Sequence, residues 1–264
     1  MSTEITTFSA PSEFPILTAG TREAKILQSK LASGPISLDD LPSVKIPTGG
    51  ATKFSYEVNG SEVSTDVIRG VVVAQAGRGV LWPTTQMGNG AKPLVSTHDL
   101  VVGYRTGDDF GDVSPETLAK FEKADGTYDW VAMSNSAEFG FGSAGRGKRV
   151  KESQIVAVLQ KGELFPVLLR IPGGSLTVWN KFMKMVPCLN HEVVVSIKLE
   201  KAQNMGGISY ARIKPSLVGT LTAEEGEVIE GLYTTALTEM LSRPPVGGSS
   251  GEPVGGASGE AVPF

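Results

Sequence analysis

The apolar positions fall into two kinds of run. Ile155, Val156, Ala157, Val158 and Leu159 are unbroken, and residues 164–171 (LFPVLLRI) form a second apolar stretch beyond Gln160-Lys161-Gly162-Glu163. Runs rich in Val, Ile and Leu, separated by a polar turn containing Gly, predict a hairpin of buried strands. Residues 192–200 alternate instead, with Val193, Val195, Ile197 and Leu199 on one face. Residues 208–218 return across Gly206-Gly207 as their partner. Nearer the start, residues 54–58 predict a first strand and Asn59-Gly60 a hairpin turn. Residues 67–74 form a second strand carrying Ile68, Val71, Val72 and Val73, and Gly77-Arg78-Gly79 predicts a turn into Val80-Leu81-Trp82-Pro83.

Helical spacing occurs in fewer places. Residues 21–32 (TREAKILQSKLA) predict a short helix. Leu176, Trp179, Phe182, Met183 and Val186 recur at helical intervals until Pro187, which puts Trp179 in the core. Residues 222–241 carry Val228, Ile229, Leu232, Ala236, Leu237 and Leu241 on a helix weakened by Gly226 and Gly231. The pattern is faint over residues 84–130. It shows only a strand-like piece at 94–104 and, at 114–123, a helical turn capped by Ser114 with Pro115 at its first position. The expected fold class is α+β, β-rich: an OB-fold-like barrel or a strongly curved antiparallel sheet, with a C-terminal helix and a disordered tail.

Composition narrows the class. At 264 residues and 40% hydrophobic, the chain can bury a sizeable core. No apolar stretch approaches the roughly 20 residues that span a bilayer, and the first residues lack a charged-then-apolar signal. The single cysteine, Cys188, excludes an internal disulfide and a cysteine-based zinc site. A cytoplasmic protein is expected. The net charge of −4 argues against nucleic acid only if the charge is averaged, and it is segregated. Residues 108–129 and 224–230 are acidic, whereas Arg146, Lys148, Arg149 and Lys151 are four cations in six residues. Local field decides where an anion docks.

The cationic stretch opens with FGFGSAGRGKRVK, which matches two phosphate-binding patterns. Gly140-Phe141-Gly142-Ser143-Ala144-Gly145 has the dinucleotide spacing, but strand rather than helix is predicted to follow. Residues 142–148 approach the P-loop, with Arg149 where the Mg²⁺-binding hydroxyl belongs. His98-Asp99 and the only other histidine, His191, have no nucleophile in a clear setting, and Asp108, Asp109 and Asp112 match no cation loop. The chain is expected not to be an enzyme and to carry no cofactor or metal. Interleaved aromatics point elsewhere: Phe139 and Phe141 precede the cations, Trp130 lies upstream, and Trp82 is near Arg78. Base stacking gives about 1–3 kcal/mol per base without sequence preference, and cations add a salt-dependent backbone term. The candidate stacking residues are therefore Trp82, Phe139, Phe141 and Tyr210; the candidate phosphate contacts are Arg78, Arg146, Lys148, Arg149, Lys151 and Arg212.

From Pro244 onward the composition turns to Gly, Pro and Ser, ending in Gly259-Glu260-Ala261-Val262-Pro263-Phe264. Such a segment cannot repay ordering entropy and reads as a flexible linker with a terminal aromatic. This tail resembles that of bacterial single-stranded DNA-binding proteins, where acidic residues precede a final Ile-Pro-Phe; here one acid stands where that family has several. The resemblance implies that Val262, Pro263 and Phe264 dock replication or repair enzymes. The body, through SLDDLPSVKIPTGG, VLWP, FGSAGRGKRVKE, GELFPVLLRIPGGSL and VVVSIKLEKAQNMGGISYARIKPSLVGTL, resembles a family of uncharacterised proteins from phages and mobile elements of Gram-positive bacteria. Its members carry cysteines near the FGS segment and the basic run. This chain has Ser136 and Val150 there, so the resemblance implies no metal site.

The expected organisation is a mobile segment with a short helix at 1–34, a β-rich nucleic-acid-binding domain at 35–221, a C-terminal helix at 222–243 and a disordered tail with a partner-binding tip at 244–264. The expected function is sequence-tolerant binding of single-stranded DNA in phage or mobile-element replication or recombination, inside a bacterial host cell. Two alternatives are a P-loop-like nucleotide-hydrolysing enzyme and a structural or regulatory phage protein without nucleic-acid contact.

Overall fold

The structure, a computed structural model, describes residues 22–32, 38–47, 49–58, 60–84, 92–144, 147–204 and 207–242. The first part of the chain forms α1 (Arg22–Ala32), β1 (Ser43–Val44), β2 (Phe54–Val58), β3 (Ser61–Thr65) and β4 (Val67–Leu81). The middle forms β5 (Val95–Thr97), β6 (Val102–Arg105), α2 (Pro115–Ala119), β7 (Tyr128–Asp129), α3 (Trp130–Asn135), β8 (Phe141–Ala144) and β9 (Gly147–Lys148). The remainder forms β10 (Val150–Gln160), β11 (Val167–Pro172), α4 (Gly173–Met185), β12 (Val193–Gln203), β13 (Ser209–Thr220), α5 (Ala223–Ile229) and α6 (Thr235–Ser242). The class is α+β and β-rich, built on a mixed sheet. No described helix is long and apolar enough to cross a membrane. The chain divides into two compact units. One comprises the described residues before Ala76 together with Ile155–Leu241; the other is Ala76–Gln154.

In the first unit the strands follow the order β1-β11-β10-β4-β12-β13. β1 pairs with β11 in parallel, Ser43 opposite Leu168, and β12 pairs antiparallel with both β4 and β13. The predicted hairpin of buried strands is β10–β11, and the alternating pair is β12–β13. Val193, Val195, Ile197 and Leu199 turn inward with Ile68, Val72, Val158, Leu169 and Ile213, and α4 lays Trp179 on this core. The indole Nε1 of Trp179 donates to Gln75 Oε1 at 3.0 Å, so the ring is buried with its polar atom satisfied. The C-terminal helices are tied down by hydrogen bonds from Tyr233 Oη to the Leu164 carbonyl and from Thr234 Oγ1 to the Val73 carbonyl, both 2.7 Å. A wider turn, Glu230–Thr234, separates α5 from α6 at the weak point marked by Gly231. Gly60, at φ +76°, makes the predicted tight turn, but it joins β2 to β3 rather than to the long strand after it.

The expected barrel is not seen: among the described residues the sheet of the first unit stays open. A barrel needs each edge strand to find another strand. At β13 the outer edge is closed differently. The Ile213 N–H donates to Ser175 Oγ of α4 at 3.2 Å, and Pro215 has no N–H to offer. An edge blocked by a side chain and a proline does not recruit a partner strand.

In the second unit the end of β4 begins a meander, β4-β5-β6-β7. Here the predicted turn at residues 77–79 is replaced by straight strand, because β4 runs through both glycines. Neither glycine has the positive φ of a turn. Their absent side chains make room instead: a Cβ on Gly79 would lie 2.3 Å from Trp130 Cζ2, and one on Gly77 would lie 2.6 Å from Leu100 Cγ. Gly79, Thr97 and Gly103 stand in one register row, and the fully buried indole of Trp130 covers it. Around it pack Leu81, Leu94, Val95, Leu118, Met133 and Phe139. Ser114 caps α2 as predicted, its Oγ accepting from Thr117 N.

Candidate nucleic-acid interface

The basic stretch of the second unit is a two-stranded ribbon, β8–β9, with Phe141 opposite Lys148 and Ala144 opposite Gly147. Its base is closed by the Phe139 carbonyl, which accepts from the N–H groups of Arg149 and Val150 at 3.1 and 3.2 Å. Ser143 adds a second clasp: its hydroxyl donates to the Gly140 carbonyl at 2.5 Å and accepts from Arg149 N at 3.0 Å. Gly142 adopts φ +90°, a conformation that suits glycine alone. The stretch from Gly142 to Lys148 leads into strand β10, not into a helix.

The two phenylalanines part company here. Phe139 lies in the turn after α3, is 3% exposed, and tilts against Phe121 at 5.7 Å between centroids. It is a core residue and offers no face to a base, which corrects the expectation that it stacks. Phe141, two residues on and past Gly140, whose N–H donates to the Ser136 carbonyl at 2.8 Å and which has no room for a Cβ, is 76% exposed. Trp130 is likewise core, whereas Trp82 is half-buried.

The cations differ as sharply. Lys148 bonds Glu152 at 3.2 Å, and the other carboxylate oxygen of Glu152 accepts from Trp130 Nε1 at 3.1 Å, so this pair anchors the ribbon to the core. Arg149 pairs with Asp112 and donates to the Pro83 carbonyl at 3.0 Å. Its side chain is only 14% exposed, its Nε is buried without a hydrogen-bond partner, and burial lowers its pKa. That corrects its assignment as a phosphate contact: the guanidinium is committed to the fold. Lys151 is exposed, with Nζ on the Lys148 carbonyl at 2.9 Å. Arg78 is half-buried and donates to the His98 carbonyl at 3.2 Å. Arg146, and Val262, Pro263 and Phe264 of the tip, lie outside the described residues.

The division between Arg149 and Lys151 is testable. Arg149→Met is expected to lower stability by about 1–3 kcal/mol, because it removes the charged partner of Asp112 and one of the two donors to the Pro83 carbonyl, which keeps only the Asp112 N–H. Lys151→Gln should change stability by no more than about 0.5 kcal/mol. Chemical denaturation of both variants decides it, and equal midpoints would remove the distinction.

Tyr210 and Arg212 belong to the first unit. Arg212 forks onto one oxygen of Glu200 at 2.6 and 2.9 Å across the β12–β13 pair, and Tyr210 rests against Gly174. On this polar face, sequence reasoning missed two lysines: Lys198 stands directly opposite Lys214, and both are exposed. The signal was present in the alternation, since Lys198 falls between Ile197 and Leu199 on the outward side. No family model, curated protein or solved structure matches this chain.

Proposed function

We propose that the chain binds single-stranded DNA without sequence preference, in the replication or recombination of phage or mobile-element DNA. One observation carries the reading: a phenylalanine left 76% exposed on a two-stranded ribbon, directly opposite a lysine. An aromatic face in water beside cations is what a base and its phosphate can use together. The clasped base, closed by the Phe139 carbonyl and Ser143, holds the ribbon on the second unit. Lys148, opposite the aromatic, is held by Glu152, so the cations this reading calls on are Lys151 and Arg146, which follow Phe141 in the sequence. Trp82 and Arg78 are further contacts of the same unit. The tip, Val262, Pro263 and Phe264, recruits replication or repair enzymes in this reading, which rests on its likeness to the tails of single-stranded DNA-binding proteins.

The test is fluorescence anisotropy with a labelled oligothymidine. Phe141→Ala should weaken binding about 5- to 150-fold, the loss of about 1–3 kcal/mol from one stacked base. Neutralising Lys151 and Arg146 should each reduce the salt slope by about 0.7. Unchanged affinity and slope in folded variants would remove the ribbon from the reading.

A further inference from the structure

A shallow groove of about 400 Å³ runs between α4 and β13 in the first unit. Val178, Phe182, Met185 and Pro215 form its apolar wall. Phe182 is held by Trp179, with ring centroids 5.8 Å apart, and Met185 in the last turn of α4 is 73% exposed. Lys181, Arg212 and Lys214 line the same groove. Its one carboxylate, Glu200, is already engaged by Arg212. Directly across the strand pair from Lys214 stands Lys198. Like charges directly opposite on a sheet are destabilising, so this face keeps an electrostatic cost that a bound anion would relieve.

The geometry selects among anions. A peptide adding as a strand needs free backbone donors and acceptors along an edge. The β13 edge withholds them at this point, with the Ile213 N–H spent on Ser175 and no N–H at Pro215. What remains is side chains: flat apolar surface with cations beside it.

We infer that the α4–β13 groove binds a nucleotide of single-stranded nucleic acid, its base against Phe182 and Met185 and its phosphates on Lys181 and Lys214. The ligand class rests on the reading given above; the residues are wholly different from those of the ribbon.

The experiment compares the full chain, a Lys181→Gln/Lys214→Gln double variant and Phe141→Ala, each titrated with labelled oligothymidine across a salt series. The double variant should have a denaturation midpoint at or slightly above that of the parent, since the Lys198–Lys214 repulsion is relieved, bind about tenfold or more weakly, and lose about 1.4 from the salt slope, two contacts' worth. A folded double variant with parental affinity and slope overturns the groove, whatever Phe141→Ala does. Loss in the double variant with no loss in Phe141→Ala keeps the groove and sinks the ribbon. If the parent chain binds no oligonucleotide, both fall. A synthetic peptide covering residues 258–264 is titrated in parallel. If that peptide shifts the amide resonances of residues 177–185 and the oligonucleotide does not, the groove is a peptide site and the inference fails.

Discussion

Trp130→Ala is expected to lower the stability of the second unit by about 3–5 kcal/mol, the range for removing a fully buried large aromatic. The loss has two parts. The indole covers the row Gly79, Thr97 and Gly103, where the two glycines leave no side chain that could collapse into the space. Its Nε1 satisfies one oxygen of Glu152, whose other oxygen holds Lys148 of the ribbon. Its backbone N–H donates to the Val101 carbonyl and survives the substitution. Trp130→Phe should therefore recover most of the packing and lack only the hydrogen bond, a deficit of about 1 kcal/mol. Gly79→Val should fail from the opposite side, since its Cβ would overlap the ring. Hydrogen exchange read peptide by peptide locates the effect. Protection should fall in residues 95–105 and persist in residues 193–199. Uniform loss, or a change below about 1 kcal/mol, would mean that Trp130 is not the keystone of this unit.

Acidification should weaken the second unit through His98. Both ring nitrogens are buried without a hydrogen-bond partner. Burial first, and the neighbouring Arg78 charge second, push its pKa down to about 4, against a smaller upward pull from Asp99. The folded state thus resists a proton that the unfolded chain accepts near 6.5. The stability this contributes is fully present above pH 6.5 and is lost as pH falls towards 4. Asp99 acts lower on the scale. Burial pushes its carboxyl up, but the N–H groups of Val102 and Val101 and the Thr97 hydroxyl outweigh it and hold the pKa below its ordinary 3.8. Its contribution is lost only beneath that value. Denaturation of the parent and of His98→Leu at pH 7.5, 6 and 4.5 separates the two: the parent should lose more stability than the variant between 7.5 and 4.5. A His98 ring that titrates near 6.5 by NMR would refute the assignment.

Local pattern determined most of the first unit. The alternation at 195–199 specifies which face is buried, because a one-residue slip would turn Ile197 outward and Lys198 inward. The unbroken run at 155–159 marks a strand covered on both sides, and helical spacing with Pro187 beyond it bounds α4. Ser114-Pro115 specifies its own cap. Each of these signals lies within a few residues of chain, where backbone geometry and side-chain period act directly.

Tertiary structure decided what depends on residues far apart. Glycine at 77 and 79 is compatible with a turn or with a strand, and only the arrival of Leu100 and Trp130 selects the strand. Phe139 and Phe141 are equivalent in sequence, yet the turn after α3 buries one and the β8–β9 register exposes the other. Arg149 and Lys151 carry the same formal charge, and Asp112, 37 positions away, withdraws the first from the surface. Lys198 meets Lys214 only once β12 and β13 are in register. A sequence states which groups can stack, pair or be buried; which of them do is set by competition among distant partners for the same space and the same charge.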